Sequence, residues 1–188
     1  MKEKILVTCI QLFEHKGFSE TSIQDIVDSL AVTKGTFYYY FKSKEEVLMV
    51  IHRMYIDTLL EQQNKLLEDG ALTNKDRLRG LVEMLVTNIT PLGKSARVFH
   101  RELRHLSEDH MKEARAKRDQ VRVAIEKVIV AGMENGEFRP DVKADIVTLG
   151  ILGACNWSYQ WFKPEGKYSD LEVSEVFIDM VCQGITPK

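Results

Sequence analysis

Apolar side chains recur at helical spacing along almost the whole of this 188-residue chain, and no stretch alternates apolar with polar as a strand does. That periodicity restricts the chain to an all-α fold. Ile5, Leu6, Cys9, Ile10 and Phe13 form one stripe, closed by Gly17. A second begins at Thr21, which is placed to cap it with Gln24 three residues on, and turns Ile23, Ile26, Val27 and Leu30 inward. A short third helix runs from near Thr33 to Phe41. Ser43-Lys44-Glu45-Glu46 has the form of a capping box and opens a long fourth helix that ends near Gly70. Thr73-Asn74-Lys75-Asp76 opens a fifth, which Pro91 and Gly93 are expected to stop, and a shorter one covers roughly 94–106. Residues 107–135 read as one helix with Gly136 past its end. Asp141 is expected to cap the next, to about Phe162, and Ser169-Asp170-Leu171-Glu172 opens the last, to Gly184. About nine helices result: three small ones, a linking fourth, then a larger bundle.

A chain that is 44% hydrophobic can bury a core without staples. Its net charge of −2 means that any contact with nucleic acid must come from a local basic face. Cys9, Cys155 and Cys182 are few, odd in number and far apart, so they read as small buried hydrophobes in a reducing compartment. The early apolar run ILVTCI breaks at Gln11 with no cleavage site, and no run is of membrane-spanning length, so a soluble, cytoplasmic protein is expected. His100, His105 and His110 recur every five residues, which turns successive rings about 140° apart on a helix, so no metal site is expected. No Gly-rich phosphate loop and no G-x-S-x-G elbow is present, and the chain does not read as an enzyme; no catalytic residue and no cofactor is assigned.

The second and third helices are joined by Leu30-Ala31-Val32, a tight connection of the helix-turn-helix type. On the third helix Phe37 and Phe41 fall on the core side, while Gly35, Thr36, Tyr38 and Tyr39 point away, with Lys34 and Tyr40 on the flanks. Three consecutive tyrosines cannot all face inward, and a buried phenol needs a partner. The outer face therefore carries hydroxyls, a glycine and a lysine, and no carboxylate. Such a face suits a DNA duplex. Gly35 lets the backbone approach the groove, and Thr36 can touch a thymine methyl. Lys34 can reach a base edge or a phosphate, and Tyr38 and Tyr39 can donate to phosphate oxygens. Lys44, in the first turn of the fourth helix, and Thr21 and Ser22, at the start of the second, can each share a phosphate with backbone amides.

The run TSIQDIVDSLAVTKGTFYYYFKSKEEVL closely resembles the TetR-family DNA-binding domain. The resemblance implies DNA contacts from Thr21, Ser22, Thr33, Lys34, Gly35, Thr36, Tyr38, Tyr39 and Lys44, with Phe37 and Phe41 holding the small core. It implies a helix-turn-helix DNA-binding domain over 1–46 and a ligand-binding and dimerisation domain over 47–188. It also implies a homodimer through the last two helices, a palindromic double-stranded operator, and repression relieved by a small-molecule effector. Small residues in Gly150-Ile151-Leu152-Gly153-Ala154 permit close approach of a neighbour. The last helix, with Leu171, Val173, Val176, Phe177, Met180 and Val181, is more apolar than a lone terminal helix needs.

The segment Asn156-Trp157-Ser158-Tyr159-Gln160-Trp161-Phe162-Lys163-Pro164-Glu165-Gly166 looks like the matching stretch of TetR members that sense fatty acyl-CoA or related CoA thioesters. Arg97, Arg101, Asn156, Trp157 and Trp161 are the candidate ligand contacts: cations for the phosphates and indoles to stack on a flat group. The rival reading of the same sequence is a DNA-binding dimer without a small-molecule effector.

Overall fold

The structure, a computed structural model, describes residues 1–187. Nine α-helices and no strand occur among the described residues. They are α1 (Lys2–Lys16), α2 (Ile23–Ser29), α3 (Lys34–Tyr40), α4 (Lys44–Glu68), α5 (Asn74–Thr87), α6 (Ile89–Arg101), α7 (Glu108–Glu134), α8 (Ala144–Trp161) and α9 (Asp170–Ile185). A short 3₁₀ turn, Leu103–His105, lies between α6 and α7.

The chain divides into two compact units. One takes Met1–Ile56 with Lys94–Ala116, and the other takes Asp57–Gly93 with Lys117–Lys188. The first is built on one apolar core: Ile5, Cys9 and Phe13 of α1, Ile26 and Val27 of α2, Phe37 and Phe41 of the α3 region, and Val47, Leu48 and Ile51 of α4. Val98, Leu106 and Ala114, more than forty residues further on, belong to the same core. In the second unit α5 packs against both α9 and α8. All three cysteines are buried, and burial pushes the Cys9 and Cys155 thiols up to about 12.

Local chemistry explains where most helices start and stop. Ser169 and Thr73 each accept a hydrogen bond from the amide three residues on, and that residue's carboxylate accepts from the cap's own amide. Glu137 adds its carboxylate to the start of α5, accepting from the amide of Lys75 at 2.9 Å and from the side-chain amide of Asn74 at 2.7 Å. Past the end of α7, Gly136 takes φ +73°. The amides of Gly136 and Glu137 return to the carbonyls of Met133 and Gly132, closing a Schellman turn.

Several boundaries differ from the sequence expectation, among them those of α6, which runs Ile89–Arg101 rather than over roughly 94–106. The cap of α2 is Ser22, one residue later than Thr21, because Asp25 rather than Gln24 completes its capping box. Pro91 does not stop α5. It lies in the first turn of α6, where a missing N–H deprives the helix of nothing, and α5 ends at Asn88 instead. Asn88 donates to the Met84 carbonyl at 2.8 Å and to the Gln62 side chain at 2.6 Å, which holds the break in place. Asp141 does not cap α8, whose N-cap is Lys143 with no side-chain cap bond.

The turn between α2 and α3 is a second Schellman motif, with the amides of Ala31 and Val32 returning to the carbonyls of Asp28 and Val27. Its left-handed position is held by Ala31 at φ +52°, where an L side chain costs about 1–2 kcal/mol. Ala31→Gly is expected to stabilise the protein by about 0.5–1 kcal/mol after the extra freedom of glycine in the unfolded chain is deducted. A rise in the denaturant midpoint at unchanged slope checks this. Gly132 faces the opposite constraint: a Cβ there would stand 2.3 Å from the buried Phe138 ring. The Phe138 amide is itself bonded to the Gly132 carbonyl at 3.0 Å, so the ring cannot retreat. Gly132→Ala should lower stability by about 1–3 kcal/mol, read from the same titration.

Candidate nucleic-acid interface

The surface of the first unit is set by how α3 is anchored. Thr33 caps α3, accepting from the Thr36 amide at 3.2 Å, and its hydroxyl pairs with that of Thr36 at 3.1 Å. Phe37 and Phe41 are both buried, their ring centroids 6.0 Å apart. With those two side chains inside, the helical repeat turns the intervening residues outward. Tyr38 is 53% exposed and Tyr39 80% exposed. Thr33, Lys34 and Gly35 are exposed and Thr36 is half-buried. Lys34, Gly35, Tyr38 and Tyr39 therefore share an outward surface to which α3 contributes no carboxylate. Tyr40 sits at the margin, its ring edge-on to Tyr39 at 4.9 Å.

Ser22 is exposed at the head of α2. Its hydroxyl donates to the Asp25 carboxylate at 2.6 Å and accepts from the Asp25 amide at 3.0 Å. Asp25 also accepts from Lys16 at 2.9 Å, and the Ser22 and Lys16 bonds hold its carboxyl well below the usual carboxylate range.

Thr21 and Lys44 are placed otherwise than their neighbours. Thr21 is fully buried, and its hydroxyl donates to the Gly17 carbonyl at 2.7 Å. Lys44 donates to the carbonyls of Phe18 and Thr21, at 2.5 and 2.6 Å, and approaches that of Ser19 at 3.4 Å. Its Nζ lies 4.3 Å from the centroid of the Phe18 ring, and partial burial draws its pKa below the usual lysine value. Neither side chain stands free on the surface that carries Lys34 and Tyr39. The signal that could have found Asp25 is the pattern Ser22-x-x-Asp25, a capping box one residue out of step with the one starting at Thr21.

The core of this unit also draws on α6 and α7. Arg97 bonds Glu14 at 2.9 Å, and Arg101 donates to the carbonyls of Phe13 at 2.6 Å and Glu14 at 2.8 Å. Glu45 accepts from the Ser107 amide at 2.8 Å and bonds the His110 ring at 2.7 Å, and Arg53 grips Glu113 through two bonds of 2.6 Å. In the second unit, Trp157 and Trp161 stand on the outer side of α8, 63% and 46% exposed, and Asn156 is half-buried. Of the five candidate ligand contacts, Arg97 and Arg101 thus belong to the first unit and the other three to the second.

Comparison with known proteins finds a likeness along nearly the whole chain. Residues 5–50 match the family described as bacterial regulatory proteins, tetR family, and residues 71–185 match the tetracyclin repressor-like C-terminal domain. A relative from Mycolicibacterium smegmatis, the HTH-type transcriptional repressor KstR2, is 28% identical over 98% of this chain and 90% of its own length. The structure of the ketosteroid transcriptional regulator KstR2 of Mycobacterium tuberculosis superposes with a TM-score of 0.92 at 26% identity, covering 100% of this chain and 95% of that one. AibR in complex with isovaleryl coenzyme A and operator DNA shares the fold, with a TM-score of 0.86 at 24% identity over 95% of this chain and 96% of that one. With a helix-turn-helix whose second helix turns its hydroxyls and lysine to solvent, and both family patterns matched, this chain belongs to the TetR family of transcriptional regulators.

Proposed function

We propose that this protein is a homodimeric transcriptional repressor that holds a palindromic operator through two copies of α3 and releases it when a small hydrophobic effector binds. The observation that carries the DNA-binding half is the outward surface of α3, with Lys34, Gly35, Tyr38 and Tyr39 in solvent over a buried Phe37. Lys34 and Thr36 face base edges in the major groove, and Gly35 allows the backbone close to them. Ser22, Thr33, Tyr38 and Tyr39 serve the phosphates and fix the register. Residues 1–46 carry this role and 47–188 carry dimerisation and effector binding. The KstR2 relatives, named as repressors, support repression as the direction of control.

The partner surface is read from α8 and α9. Ile146, Leu149, Trp157 and Trp161 stand exposed on α8, and no atom lies near where a Cβ on Gly150 or Gly153 would be. Leu171, Val176 and Met180 stand exposed on α9. A two-fold axis through these helices would cover them and set two reading heads about one turn of DNA apart. In this assignment Trp157 and Trp161 serve the partner surface, and Asn156 remains the candidate effector contact of that segment. For the effector, a fatty acyl-CoA or related CoA thioester is the class we favour, supported by the ligand named for AibR. Its phosphates need cations, the role read for Arg97 and Arg101, although Arg101 already donates to the carbonyls of Phe13 and Glu14. Release follows from linkage: an effector that prefers the non-binding conformation weakens DNA affinity by the factor by which DNA weakens the effector's.

Two measurements test these halves separately. Tyr39→Phe should weaken every duplex alike, by about 0.5–1.5 kcal/mol for one lost hydrogen bond per protomer, whereas Lys34→Ala should change the ranking of operator variants. Unchanged binding for both variants at fixed salt would remove α3 from the interface. In a panel of acyl-CoAs, at least one should raise the melting temperature and release operator DNA over the same concentration range. A protein that binds DNA and responds to none of them is the effector-free DNA-binding dimer.

A further inference from the structure

The three N–H donors of the Lys44 ammonium face three backbone carbonyls, those of Phe18, Ser19 and Thr21. All three lie in the connection between α1 and α2, which ends on Ser22, the cap of α2. Lys44 is itself the first residue of α4. One side chain therefore ties the start of α4 to the segment that delivers α2, and the two helices so joined flank α3 in the chain. The same connection is fixed from its other sides. Thr21 closes it on the Gly17 carbonyl at 2.7 Å, and the Phe18 ring packs edge-on to Phe13 and stacks on His105, each at 5.2 Å.

An ammonium held this way is poorly suited to a DNA phosphate. Turning toward one would take the ammonium from the Thr21 carbonyl, leave the Phe18 carbonyl with the Thr21 amide at 3.3 Å as its remaining donor, and lift the charge off the Phe18 ring. We infer that Lys44 is a positioning residue for DNA recognition: it holds the α1–α2 connection against α4 so that α3 is presented at a fixed angle, and it neutralises no phosphate. The inference rests on α3 being the DNA-reading helix, and it departs from the direct contact expected of Lys44 on sequence.

The first test needs no variant. Lysines of the wild-type protein are reductively methylated, free and bound to a duplex selected by the wild-type chain from a random library. Site occupancy is then read by mass spectrometry. Lys34 and Lys42, both exposed, should react in the free protein. Lys44 should resist labelling in the free and the bound protein alike. Labelling of free Lys44 at the rate of Lys42, with protection only by DNA, would overturn the inference. If no duplex is enriched, the reading of α3 fails, yet the labelling of free Lys44 still decides whether its ammonium is caged.

The second test uses Lys44→Met on protein shown to be folded by its melting curve. A lost phosphate contact lowers the slope of log K against log salt by about 0.9 per protomer and weakens all duplexes alike. Positioning predicts the wild-type slope, together with a drop of about tenfold in preference for the selected duplex over a scrambled one. A reduced slope, or an intact preference in the folded variant, would overturn it. Should Lys44→Met not fold, the labelling result on the wild-type chain stands as the deciding one.

Discussion

A seven-residue helix can present a defined surface only if it cannot roll about its own axis, and α3 is prevented from rolling by two aromatic side chains four residues apart. Phe37 and Phe41 enter the same apolar core as Phe13 and Val47. Burying an aromatic side chain of this kind is worth about 1.5–3 kcal/mol, so rotating either one into solvent is costly on the scale of the whole protein's stability. Everything on the other side of α3 follows from that constraint. The outward position of Tyr38 and Tyr39 is the geometric complement of the inward position of Phe37.

Charge is handled in the same local way. The chain is mildly acidic as a whole, yet α3 carries one lysine and no carboxylate. The acidic groups close to it in sequence are largely engaged: Asp25 by Ser22 and Lys16, Glu46 by the amide of Lys42 at 2.6 Å, Glu45 by Ser107 and His110. A carboxylate tied to an amide or an ammonium repels a polyanion less than a free one does. Net charge is therefore a poor guide to what such a surface can approach.

The unit that carries this surface is not continuous in the chain. Val98, Leu106 and Ala114 complete a core begun by residues 5–51, and the ion pairs Arg97–Glu14 and Arg53–Glu113 join the same segments. Any shift in the end of α6 or the start of α7 is thus a shift inside the core on which α2 and α3 rest. In the reading proposed above, this is the material through which an effector would be felt, since packed cores move between discrete arrangements rather than deforming smoothly.

Sequence alone determined the helical class, the helix-turn-helix and the outward face of α3. These depend on periods of 3.6 residues and on caps three residues apart, interactions that are complete within a few turns of chain. It was less able to place features that depend on which of two adjacent groups wins a partner. Thr21 and Ser22 both have the chemistry of a cap; folding brought the Gly17 carbonyl to Thr21 and left Ser22 to Asp25. Pro91 has the look of a helix stop, but the break fell at Asn88, where the Gln62 side chain was waiting twenty-six residues back. Lys44 reads as a phosphate contact in the first turn of α4, and only the folded chain could set three carbonyls from the α1–α2 connection around its ammonium. Local pattern decides which way a side chain points; what waits there is decided by chain that arrives from elsewhere.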